Sequence, residues 1–291
     1  MFERFVAIDW SGAKGKHLPG LAIAIADAGQ AAPCLVAPPR GNAWSRQEVV
    51  AFIEDQVRQG GVLIGMDFSF SLPFMDAGRY FPFGSPKVDN ARDIWRLVER
   101  VCAGDDHLYA RHFVEADRFA PLFRWPGHLG GAYKPRLRVT EARCRDAGFG
   151  PAESVYNLIG PAQVGLASLS GMRLLARLCE RLRSLVVWPF ATPATGQSCL
   201  VEMYSRLFLK RAGIHGVKVR TPDQLKAALD ALGSAPFRGE DASALSDHET
   251  DVLVSAAGLR NLVAGGDPAI WKPPGLSDKV RLTEGWTFGV V

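Results

Sequence analysis

Phe5–Gly12 reads FVAIDWSG, and Val62–Pro73 reads VLIGMDFSFSLP. Each has a short apolar run of strand length, then an aspartate (Asp9, Asp67), then small turn-forming serines within two residues (Ser11, Ser69). One acid at the end of a buried strand is usually the first polar residue beyond the core. Two of them, each leading into a serine-containing turn, suggest that two strands deliver carboxylates to a common edge.

The surrounding pattern gives the strands an order. Leu21–Ala26 and Cys34–Ala37 are further short apolar runs, separated by Gly, Pro and polar residues, so three successive strands are expected before any helix. A helix should begin after Ser45, an N-cap with Glu48 three residues on as a capping box, and carry Val49, Val50, Phe52, Ile53 and Val57 at helical spacing to Gly60 and Gly61. Val62–Met66 is then the fourth strand. Between Pro73 and about Gly160 the texture changes to frequent aromatic, Pro and Gly residues, with a basic cluster in YKPRLRVTEARCR. Residues 74–160 are read as an insertion with one clear helix near Val88–Cys102.

Beyond the insertion, SGMRLLARLCERLR places Met172, Leu175, Leu178, Cys179 and Leu182 on one helical face and Arg173, Arg177 and Arg181 on another. A solvated face is the ordinary explanation of such a stripe, and contact with phosphates through Arg177 is the functional one. SLVVWPF reads as a strand, and SCLVEMYSRLFL reads as a strand running into a helix with Glu202 at the junction. ALSDHETDVLVSAAGLRNLV is an amphipathic helix with Asp247 and Asp251 four residues apart and small residues Ser255, Ala256 and Ala257 suited to close packing on a sheet.

Composition bounds the class. The chain has 291 residues, 47% hydrophobic and 22% charged, as in globular proteins with a sizeable core. A net charge of +4 neither requires nor excludes a polyanionic partner. Five cysteines without a CxxC pair argue against a disulfide framework or thiolate zinc and fit a cytoplasmic protein. No run approaches the ~18 apolar residues of a membrane span, so no membrane association is expected. The glycines of IGPAQVGLASLSG do not form GxGxxG, because Pro161 and Ala162 interrupt it. His107 and His112, five apart, lack ligand spacing on a helix, and His248 beside Asp247 is either a surface histidine or a group for proton transfer or phosphate contact.

Asp9, Asp67, Glu202 and Asp251, with Asp247 as a further acid, could therefore converge where strand carboxyl ends gather. Clustered carboxylates repel unless a cation is present, and oxygen donors without Cys or His clusters favour Mg²⁺ or Mn²⁺. Two such ions suit phosphodiester hydrolysis. Ser11 and Ser69 could contact phosphate or metal-bound water, although serines after strands are commonly turn residues.

In order, IDWSGA, GMDFSFSLP, SVYNLIGPAQVG, VVWPF, VEMYSRLF and SDHETDVLVSAAGLR resemble a family of predicted RNase H-like nucleases, the domain of unknown function 429. The resemblance runs from Phe5 to Leu262 and is poor over residues 74–130. It implies a single α/β RNase H-like domain over residues 1–291, a mixed sheet of about five strands flanked by helices with a large insertion. It also implies Asp9, Asp67, Glu202 and Asp251 as catalytic, metal-binding acids, and nucleic acid as partner. An actin-like or sugar-kinase-like ATP-dependent phosphotransferase, with Asp9 and Asp67 in phosphate loops, is the alternative enzyme. A noncatalytic nucleic-acid-binding module is the third possibility.

Overall fold

A computed structural model describes residues 2–83, 88–150, 153–160, 163–214, 218–239 and 244–291. The chain opens with β1 (Arg4–Asp9), a short β2 (His17–Leu18), β3 (Ala22–Asp27), β4 (Cys34–Leu35) and β5 (Trp44–Ser45), then α1 (Arg46–Gln59) and β6 (Val62–Asp67). The capping box forms as the sequence suggests: Ser45 Oγ accepts from the Glu48 amide, and the Glu48 carboxylate accepts from the Ser45 amide at 2.8 Å.

Residues 74–160 contain more than the one expected helix. α2 (Ala91–Val101) is joined by α3 (Arg111–Glu115), a small ribbon of β7 (Arg124–Trp125) and β8 (His128–Leu129), and α4 (Val139–Asp146). Then come α5 (Gly165–Arg181), β9 (Val186–Val187), β10 (Cys199–Glu202), α6 (Ser205–Arg211), α7 (Pro222–Ala231), α8 (Asp247–Ala264) and α9 (Asp278–Thr283).

Six strands form one mixed sheet in the order β4-β3-β1-β6-β10-β9. The β1–β3 and β3–β4 pairings are antiparallel, and β1–β6, β6–β10 and β10–β9 are parallel. The architecture is thus α/β, and its six strands fall on the six apolar runs read as strands from the sequence, where the resemblance implied about five.

Both sheet faces are buried, which is why its strands read as continuous apolar runs rather than alternating ones. Val6 and Ile8 of β1 point into a core shared with α1, α2 and α5. Phe5 and Ala7 point into a second core with α6, α7 and α8. Within that core α8 lies directly on the sheet at Gly65: a Cβ there would stand 2.7 Å from Leu259 Cδ1 and 2.8 Å from Met203 Sδ. The residues after α9 complete this layer, with Trp286, Phe288 and Val290 buried.

A buried ion network joins the insertion to the sheet. The Arg138 guanidinium, 1% exposed, donates to Glu202 Oε1 (2.6 Å), Glu202 Oε2 (2.8 Å), Glu141 Oε1 (2.9 Å) and the Glu284 carbonyl (2.9 Å). Phe70 N and Thr287 Oγ1 donate to the same Glu202 carboxylate at 2.8 and 2.7 Å. Glu284, fully buried, accepts from the amides of Phe74, Met75 and Val139.

Removing the cation should strand two buried carboxylates. Arg138→Met is expected to lose about 3–5 kcal/mol in urea unfolding, the usual penalty for breaking a buried pair from one side. Uncompensated buried acids titrate above their unfolded values, so the loss should shrink as pH falls and they take up protons. A loss that does not vary with pH would show that Glu141 and Glu202 find other partners.

Candidate active site

β1 and β6 run parallel with Asp9 registered against Asp67, so two carboxylates stand side by side at the carboxyl edge of the sheet. α8 packs over β1 and β3 and brings Asp251 and His248 to that edge. His248 Nδ1 lies 2.7 Å from Asp9 Oδ2. Ser205 Oγ, at the start of α6, donates to Asp67 Oδ2 at 2.8 Å. Lys218 Nζ donates to Asp251 Oδ2 at 2.6 Å.

The three aspartates therefore share one arrangement. In each, one oxygen is held by a protein donor and, among the described residues, the other has no donor. Asp251 Oδ1 is the extreme case, a buried oxygen with no hydrogen-bond partner. Burial and then the neighbouring Asp9 charge push the Asp67 carboxyl up to about 7, with Asp251 and Glu202 adding to the effect and Ser205 opposing it. Burial also raises Asp251, against the opposing hydrogen bond and charge of Lys218. His248 is raised chiefly by its hydrogen bond to Asp9. Desolvation works to lower Lys218, but the hydrogen bond and charge of Asp251, with Asp247 behind, leave it raised.

The other expected residues are placed differently. Glu202 registers with Met66, not with Asp67, and is thus one residue out of phase with the aspartate pair. Strand side chains alternate faces, so it meets Arg138 on the insertion side, where four donors hold its two oxygens. Asp247 lies in the first turn of α8 and pairs with Arg220 at 2.9 Å. Ser69 is buried and donates to Glu141 at 3.1 Å, joining the insertion to β6. The arginine stripe is solvated only in part: Arg173 is fully buried and Arg181 is exposed, and all three are paired, Arg173 and Arg177 with Glu99 at 2.7 Å each and Arg181 with Glu54 at 3.0 Å. Pro161 and Ala162 lie outside the described residues.

Ser11 does reach the site. Beside Asp9 opens a cleft of about 270 Å³ whose wall includes Ser11, Lys14, Tyr109, Gln163 and His248. Arg46, fully buried at the start of α1, shapes one side by donating to the carbonyls of Ser11, Ala13 and His107. Gly12 lets this turn approach α5: a Cβ there would stand 2.3 Å from the Ala167 amide nitrogen. Opposite, His107 and Leu108 adopt left-handed backbone (φ 55° and 58°), on the order of 1–2 kcal/mol each for such residues.

Lys218, Ser205, Tyr109 and Arg46 carry no local sequence signal, since each acts through partners distant in the chain. No family model, curated protein or solved structure matches the chain. Among the described residues no helix is long and apolar enough to cross a membrane.

The raised Asp67 gives a pH test with a definite sign. A carboxyl whose folded pKa exceeds its unfolded value favours folding while protonated, and that contribution disappears as pH rises from about 4 to about 7. With a chelator present, the wild type should lose roughly 2–4 kcal/mol across this interval relative to Asp67→Asn, measured by denaturant unfolding at each pH. Parallel pH profiles would mean that Asp67 is not under electrostatic stress.

Proposed function

We propose that the protein hydrolyses phosphodiester bonds in nucleic acid with Mg²⁺ or Mn²⁺ held by Asp9, Asp67 and Asp251. The supporting observation is that three clustered carboxylates each keep one oxygen without a donor, the buried Asp251 Oδ1 among them. An acid cluster of this kind is electrostatically unfavourable alone and suits a hard divalent cation. Among the described residues no three His, Cys, Asp or Glu side chains already stand together as ion ligands, and the Lys218 charge on Asp251 Oδ2 opposes an ion at the free Oδ1. Glu202 is left out of the set because its oxygens are held, and Asp247 because it pairs with Arg220. An antiparallel β4-β3-β1 half followed by parallel strands, with a late helix across β1 and β3, supports an RNase H-like assignment. Five free cysteines suit a cytoplasmic setting.

Divalent ions, when bound, supply activation of water and charge stabilisation on the phosphoryl oxygens. The chain's own groups do the rest. Ser205 orients Asp67. Asp9 keeps His248 protonated to higher pH than a free imidazole, and its Nε2 faces Gly20, another residue of the cleft wall, where a protonated ring offers a donor to phosphate. Lys14 adds a second positive charge on that wall. Lys218 balances Asp251.

Thermal melting with chelator and with Mn²⁺ tests the ion site without a substrate. At free Mn²⁺ about a hundredfold above Kd, one site should stabilise the wild type by roughly 2.7 kcal/mol, a shift of several degrees, and Asp9→Asn should lose most of it. Cleavage of labelled oligonucleotides should need the metal and fall at least about 10- to 100-fold in the variant, the loss seen even for groups that only orient a ligand. No metal shift across millimolar Mn²⁺, or an equal shift in both proteins, would overturn the assignment.

A further inference from the structure

Granted the nucleic-acid substrate proposed above, on which this step rests, we infer that the cleft beside Asp9 takes one unpaired nucleotide, its base stacked on Tyr109, so that the substrate is single-stranded at the site of cleavage. Tyr109 belongs to the insertion, yet it lines the cleft with Asp9, Lys14 and His248. It is only partly buried. The neighbouring aromatic residues behave otherwise: Phe113, Phe119 and Phe123 are buried and pack on one another. Among the described residues no second ring packs against Tyr109, and its hydroxyl has no hydrogen-bond partner.

The segment bearing this ring is held under strain by two fully buried arginines. Arg46 donates to the His107 carbonyl at 2.8 Å, and Arg173 donates to the carbonyls of Asp105 (3.1 Å) and Tyr109. Between them His107 and Leu108 both stand in the left-handed region. Two adjacent non-glycine residues in that conformation persist only where the surroundings over-determine them, and such strain concentrates at ligand-binding sites. Here its consequence is to aim Tyr109 at the cleft. A flat ring without a partner, beside a lysine and a histidine, is a stacking platform with phosphate contacts at its edge.

The size of the cleft favours a single strand over a paired one. About 270 Å³ falls just below the ~300–1,000 Å³ of small-ligand pockets, the scale of one nucleotide and not of a helix. A base in a duplex already has both faces covered by its neighbours, so only an unpaired or extruded base can present one to Tyr109.

Fluorescence anisotropy with a short labelled single strand, and with the same strand annealed to its complement, tests this with Ca²⁺ replacing Mn²⁺ to suppress cleavage. The wild type should bind the single strand at least about tenfold tighter than the duplex. Tyr109→Leu should lose about tenfold for the single strand, Tyr109→Phe should stay within about twofold, and both should keep the wild-type Mn²⁺ melting shift. His107→Gly, which relieves the strain without touching the ring, should raise the melting temperature and weaken single-strand binding. If Tyr109→Leu binds as the wild type does, or the duplex binds more tightly, the stacking site is overturned while the nuclease assignment stands. If neither strand binds although the Mn²⁺ shift persists, the nucleic-acid assignment fails and the stacking site with it.

Discussion

The Arg138 guanidinium is the constraint on which the rest of the site depends. It is buried, it bridges Glu141 at the start of α4 to Glu202 at the end of β10, and it also holds the Glu284 carbonyl after α9. Three segments remote in sequence thus meet at one cation. A buried network of this kind stabilises little compared with an apolar equivalent, but it is intolerant of any missing member. Its value here is positional. Glu202 also accepts from the Phe70 amide, so the chain leaving Asp67 is tied to the same network three residues after the carboxylate.

On the other face of the sheet the electrostatic condition is reversed. Asp9, Asp67 and Asp251 have partners for half of their oxygens, and those partners are His248, Ser205 and Lys218, of which Lys218 alone is a fixed charge. Burial then raises Asp67 and Asp251 instead of leaving them ordinary carboxylates. One layer of the edge is therefore closed and compensated, and the other is left short of positive charge. Strand periodicity produces the difference: acids in register on β1 and β6 share a face, whereas an acid registered with Met66 falls on the opposite one.

Local signals explain what the sequence makes legible. The strand-then-aspartate pattern, the Ser45–Glu48 capping box and the small residues of α8 are decided within a few positions, and each has its expected structural counterpart. The phase of Glu202 is decided by register with β6, over a hundred residues away, and no local feature encodes it. The arginine stripe was likewise ambiguous because its counter-charges, Glu99 and Glu54, come from α2 and α1. The basic run around Arg138 also gives no local sign that this arginine is buried, since Glu202 and Glu284 lie far along the chain. The final segment is too short to announce an element: Trp286, Phe288 and Val290 alternate over five residues and pack from extended chain bridged to Glu202 through Thr287.

The insertion is consequently part of the site's construction and not an appendage. Arg46 of α1 and Arg173 of α5 reach from the α/β core to the carbonyls of residues 105–109, while Arg138 reaches from the insertion to the end of β10. Among the described residues Arg46 has no carboxylate partner, and desolvation lowers its pKa to about 10, so carbonyl dipoles and the face of the Trp10 ring, 5.8 Å away, accommodate its charge. Those same carbonyls belong to the turns that shape the cleft, Ser11 and Ala13 on one side and His107 on the other. Neutralising Arg46 would therefore release both walls together, and the position of Lys14 beside Asp9 cannot be separated from the position of Tyr109 across from it.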